Sequence, residues 1–88
     1  MDTMPRTPAD GTRLRILAWL KEPGTAERGA TVDAVATRFA LPHPVAHTHL
    51  RLLAALGLLR TGRGAGRLYY RRDEVRIAEV ARLFEKGW

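Results

Sequence analysis

Only three residues, Ala40, Leu41 and Pro42, separate two stretches of helical periodicity. In the first, Val32, Val35, Ala36 and Phe39 recur at i, i+3, i+4 and i+7, which puts them on one face of a helix over residues 32–39. Thr31 is suited to cap its N-terminus. The second begins at His43 or Pro44, where a proline costs no helical hydrogen bond, and runs to Leu56. Gly57 comes next as a natural stop. Two helices joined by so short a turn cross steeply, the arrangement of a helix-turn-helix.

The segment after the second helix narrows the fold further. Residues 58–61 read as a short strand, residues 62–66 as a glycine-rich tip, and residues 67–71 as a returning strand with Leu68 and Tyr70 on one side and Tyr69 on the other. An earlier helix is expected from Thr12 to about Lys21, capped by Asp10 or Thr12, with Leu14, Ile16, Leu17, Ala18 and Leu20 in its apolar arc and Trp19 outside it. Residues 22–30 contain Pro23, Gly24 and Gly29 and read as a loop. Asp73 caps a last helix, about residues 74–86, whose Ile77, Val80, Ala81, Leu83, Phe84 and Trp88 make a wide apolar stripe. The expected fold is mainly α with a two-stranded β-wing, a winged helix-turn-helix over residues 10–88, preceded by a flexible arm, residues 1–9. The core of an 88-residue domain is marginal, and a partner subunit seated on the last helix would complete it.

Charge is distributed unevenly over these elements. The chain has 15 basic and 9 acidic residues, a net of +6. Between Ala34 and Arg72 there is no Asp or Glu, while Arg38, Arg51, Arg60, Arg63, Arg67, Arg71 and Arg72 all fall there. The remainder of the chain sums to −1. A basic surface confined to a helix, turn, helix and hairpin is the electrostatic footprint of a DNA-binding module.

The second helix of the pair supplies the candidates for sequence reading. Projected at about 100° per residue, Ala46, Leu50, Leu53 and, at the edge, Leu56 face the core. His47, Thr48 and Arg51 face the other way, with Pro44 beside them and His43 at the N-terminal end. His49 projects to the apolar half and is expected to be structural. Val45 either contacts a thymine methyl or packs on the turn, and Arg51 either reads a guanine or holds a phosphate. In the wing, Arg63 and Arg67 suit phosphates or a minor groove, while Arg60, Arg71 and Arg72 read as a solvated basic face.

Several functions are disfavoured by residues the sequence lacks. It has no cysteine, hence no disulfide, thiolate metal site or cysteine nucleophile. The glycines at residues 62–66 lie between strands, with no Gly-Lys-Ser/Thr after them, so they do not read as a nucleotide-binding loop. No nucleophile–base pair or cofactor motif is visible, so neither an enzyme nor a bound cofactor is expected. No apolar run approaches the roughly 20 residues that cross a bilayer, and the expectation is a soluble cytoplasmic protein.

The chain resembles the bacterial arsenical-repressor-type (ArsR/SmtB) winged-helix transcriptional regulators. Residues 10–17, Asp-Gly-Thr-Arg-Leu-Arg-Ile-Leu, are similar to the family's opening helix motif. Residues 43–50 with Leu53 and Gly57-Leu58-Leu59 are similar to its recognition helix, and Gly66-Arg67-Leu68-Tyr69-Tyr70 to the second strand of its wing. The resemblance implies a homodimer on operator DNA, with His43, Val45, His47 and Thr48 at positions that contact bases or nearby phosphates. The chain also departs from the family. Thr31 and Asp33 stand where metal-sensing members carry thiolates, and the last helix has Glu74, Glu79 and Glu85 but no histidine. The loop over residues 22–30 is longer than usual, and only nine residues precede Asp10, so dimerisation is expected to rest on Ile77, Val80, Ala81, Phe84 and Trp88 of the last helix.

The leading expectation is therefore a sequence-specific regulator, a repressor, that binds a palindromic operator in double-stranded DNA. Residues 43–56 would enter the major groove and the wing, residues 60–71, would lie on the backbone or minor groove. Two alternatives are a winged helix whose basic face binds an acidic protein, and a metal sensor that uses His43 and His47 at i, i+4.

Overall fold

The computed structural model describes residues 11–83. In chain order these form α1 (Thr12–Trp19), α2 (Val32–Phe39), α3 (His43–Ala55), β1 (Leu59–Gly64), β2 (Arg67–Arg72) and α4 (Glu74–Leu83). Residues 1–9, Asp10 as a cap, Phe84 and Trp88 lie outside the described residues.

The turn between α2 and α3 is closed by backbone geometry. Thr31, extended at φ −86° and ψ 167°, accepts a hydrogen bond from the Ala34 amide at 3.1 Å and starts α2 as expected. Ala40 ends the helix in the left-handed region, φ 54° and ψ 48°. The Leu41 amide then reaches back to the Ala36 carbonyl at 2.9 Å, the six-to-one bond of a Schellman stop. Pro42 caps α3, and Pro44 sits in its first turn. The same stop closes α3. Gly57 has φ +82°, and the Leu58 amide donates to the Leu53 carbonyl at 3.0 Å. A side chain at residue 57 would also meet Arg76 Nε at 2.9 Å.

The wing differs from expectation at its tip. The strands pair from Leu59↔Arg72 to Gly64↔Arg67, so Gly62 to Gly64 belong to β1. Only Ala65 and Gly66 turn, at φ 50° and 77°. Two consecutive positive φ values make a type I′ hairpin, whose twist matches that of the strands. Sequence reading missed a third, one-residue edge. Ala30 and Tyr70 exchange amide–carbonyl bonds of 2.9 and 2.8 Å, which fastens the α1–α2 loop to β2.

Ile16, Leu20, Ala30, Val35, Ala46, Leu50, Leu53, Leu59 and Tyr70 form one core. Three expectations for its edge are corrected. Trp19 packs edge-on against Phe39, ring centroids 5.9 Å apart, because α2 crosses that side of α1. Leu14 and Ala18 are exposed, and so is Leu56, because no element covers their side of α1 or the last turn of α3. Helix α1 ends at Trp19 rather than Lys21. Its chain tightens into i→i+3 bonds from Lys21 to Ala18 and Glu22 to Trp19 just before Pro23, which cannot continue a helix. Gly11, not Thr12, stands at its N-cap, with no side-chain capping bond. Asp73 caps α4 through the Arg76 amide at 3.0 Å, as expected.

Candidate nucleic-acid interface

The outward face of α3 carries His47, Thr48, Arg51 and Val45, all exposed, while Ala46, His49, Leu50 and Leu53 anchor the opposite face. The Thr48 hydroxyl donates to the Pro44 carbonyl at 2.9 Å, so its proton is spent within the helix. Thr48 thus offers a methyl group and an acceptor, not a donor. Arg51 makes no ion pair among the described residues.

At the start of α3, His43 Nε2 lies 3.1 Å from Asp33 Oδ1 on α2. His43 and Asp33 line a concavity with Thr31 and Arg67, which brings the first residue of β2 beside the start of α3. Arg63 stands opposite Leu68, and Arg67 opposite Gly64. Strand alternation sends these two arginines to opposite faces of the ribbon. For the two-histidine metal site, Asp33 occupies His43, and among the described residues no three His, Cys, Asp or Glu groups come together.

The solvated basic face is smaller than the sequence suggests. Arg60 is exposed, but Arg72 is a structural clasp, its side chain only 13% exposed. It holds the Glu74 carboxylate with two bonds, of 2.7 and 3.1 Å, and donates to the Leu17 carbonyl at 2.8 Å, so one guanidinium joins α1, β2 and α4. The hydrogen bond from Arg72 holds the Glu74 carboxyl below the usual carboxylate range. Arg71 donates to the Glu27 carbonyl at 3.1 Å.

The buried His49 supports the outward face of α3 from behind. It is 2% exposed, and Arg13 of α1 lies 3.0 Å from its Nδ1. A guanidinium only donates, so Nδ1 accepts and the ring is neutral with its proton on Nε2. That Nε2 has no hydrogen-bond partner among the described residues. Burial first, and the Arg13 charge second, lower the His49 pKa below its ordinary value of about 6.5. Protonation therefore favours the unfolded chain. The stabilising contribution is complete above about pH 6.5 and is lost as pH falls toward the lowered folded value. Thermal melts should show the midpoint falling from pH 7 to pH 5, and His49→Gln, which keeps an acceptor, should flatten that slope. An unchanged slope in the variant would remove His49 as its cause.

Sequence reading assigned no role to Arg13 beyond its motif and none to Arg28; a partner for a buried histidine was the one signal that pointed to the former. It named the α4 side of a second surface, Ile77, Val80 and Ala81, and missed the α1 side. Leu14, Leu17 and Ala18 of α1 line an apolar groove of about 330 Å³ with Leu58 and with Ile77, Val80 and Ala81 of α4. None of the described residues of α4 is fully buried, and Val75 and Leu83 are 72% and 79% exposed. Ile77, Val80 and Ala81 of the stripe thus face a groove that the described residues leave open.

The helix, tight turn, helix and wing are shared with known proteins. A family profile described as a helix-turn-helix domain matches residues 9–62. A solved structure described as a possible transcriptional regulator for arsenical resistance is 30% identical, with a TM-score of 0.74, over 91% of this chain and 78% of that one. This chain belongs to the ArsR-like winged helix-turn-helix regulators. An ArsR-like transcriptional regulator from Rhodococcus sp. RHA1 is 26% identical, with a TM-score of 0.69, over 88% of this chain and 68% of the other. The homodimeric winged helix-turn-helix DNA-binding domain of a possible ArsR-family regulator from Mycobacterium bovis is 27% identical, with a TM-score of 0.60, over 91% and 78%. No curated protein matches the sequence. Membership carries the general function, DNA-binding transcription regulation, on a winged helix-turn-helix fold. No helix among the described residues is long and apolar enough to cross a membrane.

Proposed function

We propose that this ArsR-like protein is a repressor that binds a palindromic operator as a homodimer, with α3 in the major groove and the wing along the backbone or minor groove. One observation carries the reading. The exposed face of α3, with His47, Thr48 and Arg51, lies inside a stretch of 39 residues, 34–72, that contains no carboxylate. His43, Pro44, Val45, His47, Thr48 and Arg51 form the reading set, and Arg63 and Arg67 hold the backbone from the wing. The test is a mobility-shift titration against a selected genomic fragment at several salt concentrations. Affinity should fall with a log–log slope of about −0.9 per phosphate neutralised. A salt-insensitive complex would sink the proposal, and tighter binding to an acidic protein than to any duplex would favour the alternative of a protein-interaction module.

The open groove between α1 and α4 supports the dimer, as does the relative from Mycobacterium bovis described as homodimeric. Ile77, Val80 and Ala81 form the α4 side of the proposed interface, extended by Phe84 and Trp88, with Leu14 and Ala18 on the α1 side. A two-fold axis would place two α3 helices about one helical turn apart on one DNA face. In sedimentation at micromolar concentration the protein should run as a dimer and Ile77→Glu as a monomer, because the dimer would take a carboxylate there out of water into a mostly apolar contact. A variant that stays dimeric would move the interface elsewhere.

A further inference from the structure

The outer face of the wing carries charge that α3 does not use. Register sets Arg60 opposite Arg71 and Gly62 opposite Tyr69 on that face. Like charges directly opposite one another weaken a two-stranded ribbon. Arg71 leans toward the α1–α2 loop, where its hydrogen bond goes to the Glu27 backbone carbonyl, not to a carboxylate. Arg28 comes from the same loop. Together with Arg63, Gly62, Gly64 and Tyr69 these two arginines line a concavity of about 570 Å³. The glycines keep it open. A Cβ on Gly62 would meet nothing within 4 Å, and one on Gly64 would lie 3.7 Å from the Tyr69 ring. Among the described residues no carboxylate comes within ion-pair distance of Arg28, Arg63 or Arg71.

Two further hollows link this concavity, through shared lining residues, to the start of α3. A second hollow shares Arg28 and Tyr69 with it and adds Thr31 and Arg67. A third shares Thr31 and Arg67 and adds Asp33 and His43. These shared residues set the three side by side as a trough of adjoining hollows, from the N-terminus of α3, past the first residue of β2, to the back of the wing. Among the described residues Asp33 is the one carboxylate that lines it, at the α3 end, where it faces His43.

We propose that this trough carries the DNA backbone beyond the bases that α3 reads, with a phosphate held between Arg28 and Arg71 against Tyr69. The inference rests on the DNA-binding reading and adds a flanking contact to it. A phosphodiester suits the site because its charge relieves the clustered arginines, and the adjoining sugar can lie on an aromatic wall. The glycine floor lets a bulky backbone approach.

The test compares the full chain with Arg28→Ala on two duplexes. One is trimmed to the selected site, and the other has about ten more base pairs, one helical turn, on each side. Arg28 is exposed and without a hydrogen-bond partner among the described residues, so its melting temperature serves as the folding control. On the long duplex the variant should bind about five- to tenfold more weakly per subunit, with a salt slope shallower by about 0.9 per subunit, and on the trimmed duplex it should match the parent. Equal affinity and slope on the long duplex would overturn the flanking contact and leave the DNA-binding reading intact. Failure of the parent chain to bind any duplex would remove both. A calorimetric titration with inorganic phosphate covers the other source of the same chemistry. Saturable binding that Arg28→Ala abolishes, with no change on the long duplex, would assign the site to a free phosphorylated ligand and overturn the proposal.

Discussion

Leu50→Ala should cost about 2–5 kcal/mol, the range for emptying a fully enclosed site in a packed core. Leu50 is wholly buried on α3 among Ala46, Leu53 and the other core residues contributed by α1, α2 and the wing. Few other large side chains could close over the cavity, because much of the core consists of single residues such as Ile16 and Val35 on short helices. Small domains have about 5–15 kcal/mol of stability in all, so this one change removes a large share. Urea unfolding should show a much lower midpoint at an unchanged slope. Leu56→Ala supplies the contrast. Leu56 falls on the edge of the same face by helical projection but is 59% exposed, so its loss should stay within about 0.5 kcal/mol. Equal losses at the two positions would show that the core does not lie where this fold puts it.

The difference between these two leucines shows how far periodicity reaches. It gives the direction in which a side chain leaves the helix axis, and for α2 and the middle of α3 that was enough. It does not give where neighbouring elements stop. Leu56 leaves α3 beyond the last element that could cover it, and Leu14 and Ala18 leave α1 into a groove open in the monomer. Trp19 fell outside the apolar arc drawn from sequence, yet Phe39 on α2 covers it. The turn and the stops were legible because Thr31, Pro42, Pro44 and Gly57 each impose a local conformation. Ala40 and Ala65 adopt left-handed conformations that composition does not announce, so the hairpin tip was drawn too long. The one-residue bridge at Ala30 has no period to detect.

The candidate site shows the same division. The outward positions of His47, Thr48 and Arg51 follow from projection alone. Partners do not. Arg72 was grouped with the solvated cations because sequence shows its charge and not the Leu17 carbonyl and Glu74 carboxylate that enclose it. The absence of carboxylates over residues 34–72 marks the surface, but Asp33 lies immediately upstream and folds back onto His43. Arg28 lies outside that stretch altogether and reaches the wing only because the loop is fastened to β2 at Ala30.

Arg51→Ala should weaken operator binding by about 1–3 kcal/mol per subunit, roughly 5- to 150-fold for each half-site, the value of one good bidentate contact. Arg51 stands one turn beyond His47 on the exposed face of α3 and has no ion-pair partner among the described residues, so its guanidinium is free to meet a base edge. The residues before it help. Pro44, Val45 and Thr48 are slender, and Thr48 has turned its hydroxyl proton back to the helix, which lets the N-terminal half approach the groove closely. If Arg51 reads a guanine, binding-site selection with the variant should relax preference at one position in each half-site. The salt slope should then change little, because a base contact releases no condensed counterion. A uniform loss across sequences, with the slope shallower by about 0.9 per subunit, would instead move Arg51 to the phosphate-holding set with the wing arginines. An unchanged affinity would take the centre of α3 out of the interface, and with it the major-groove placement of the helix.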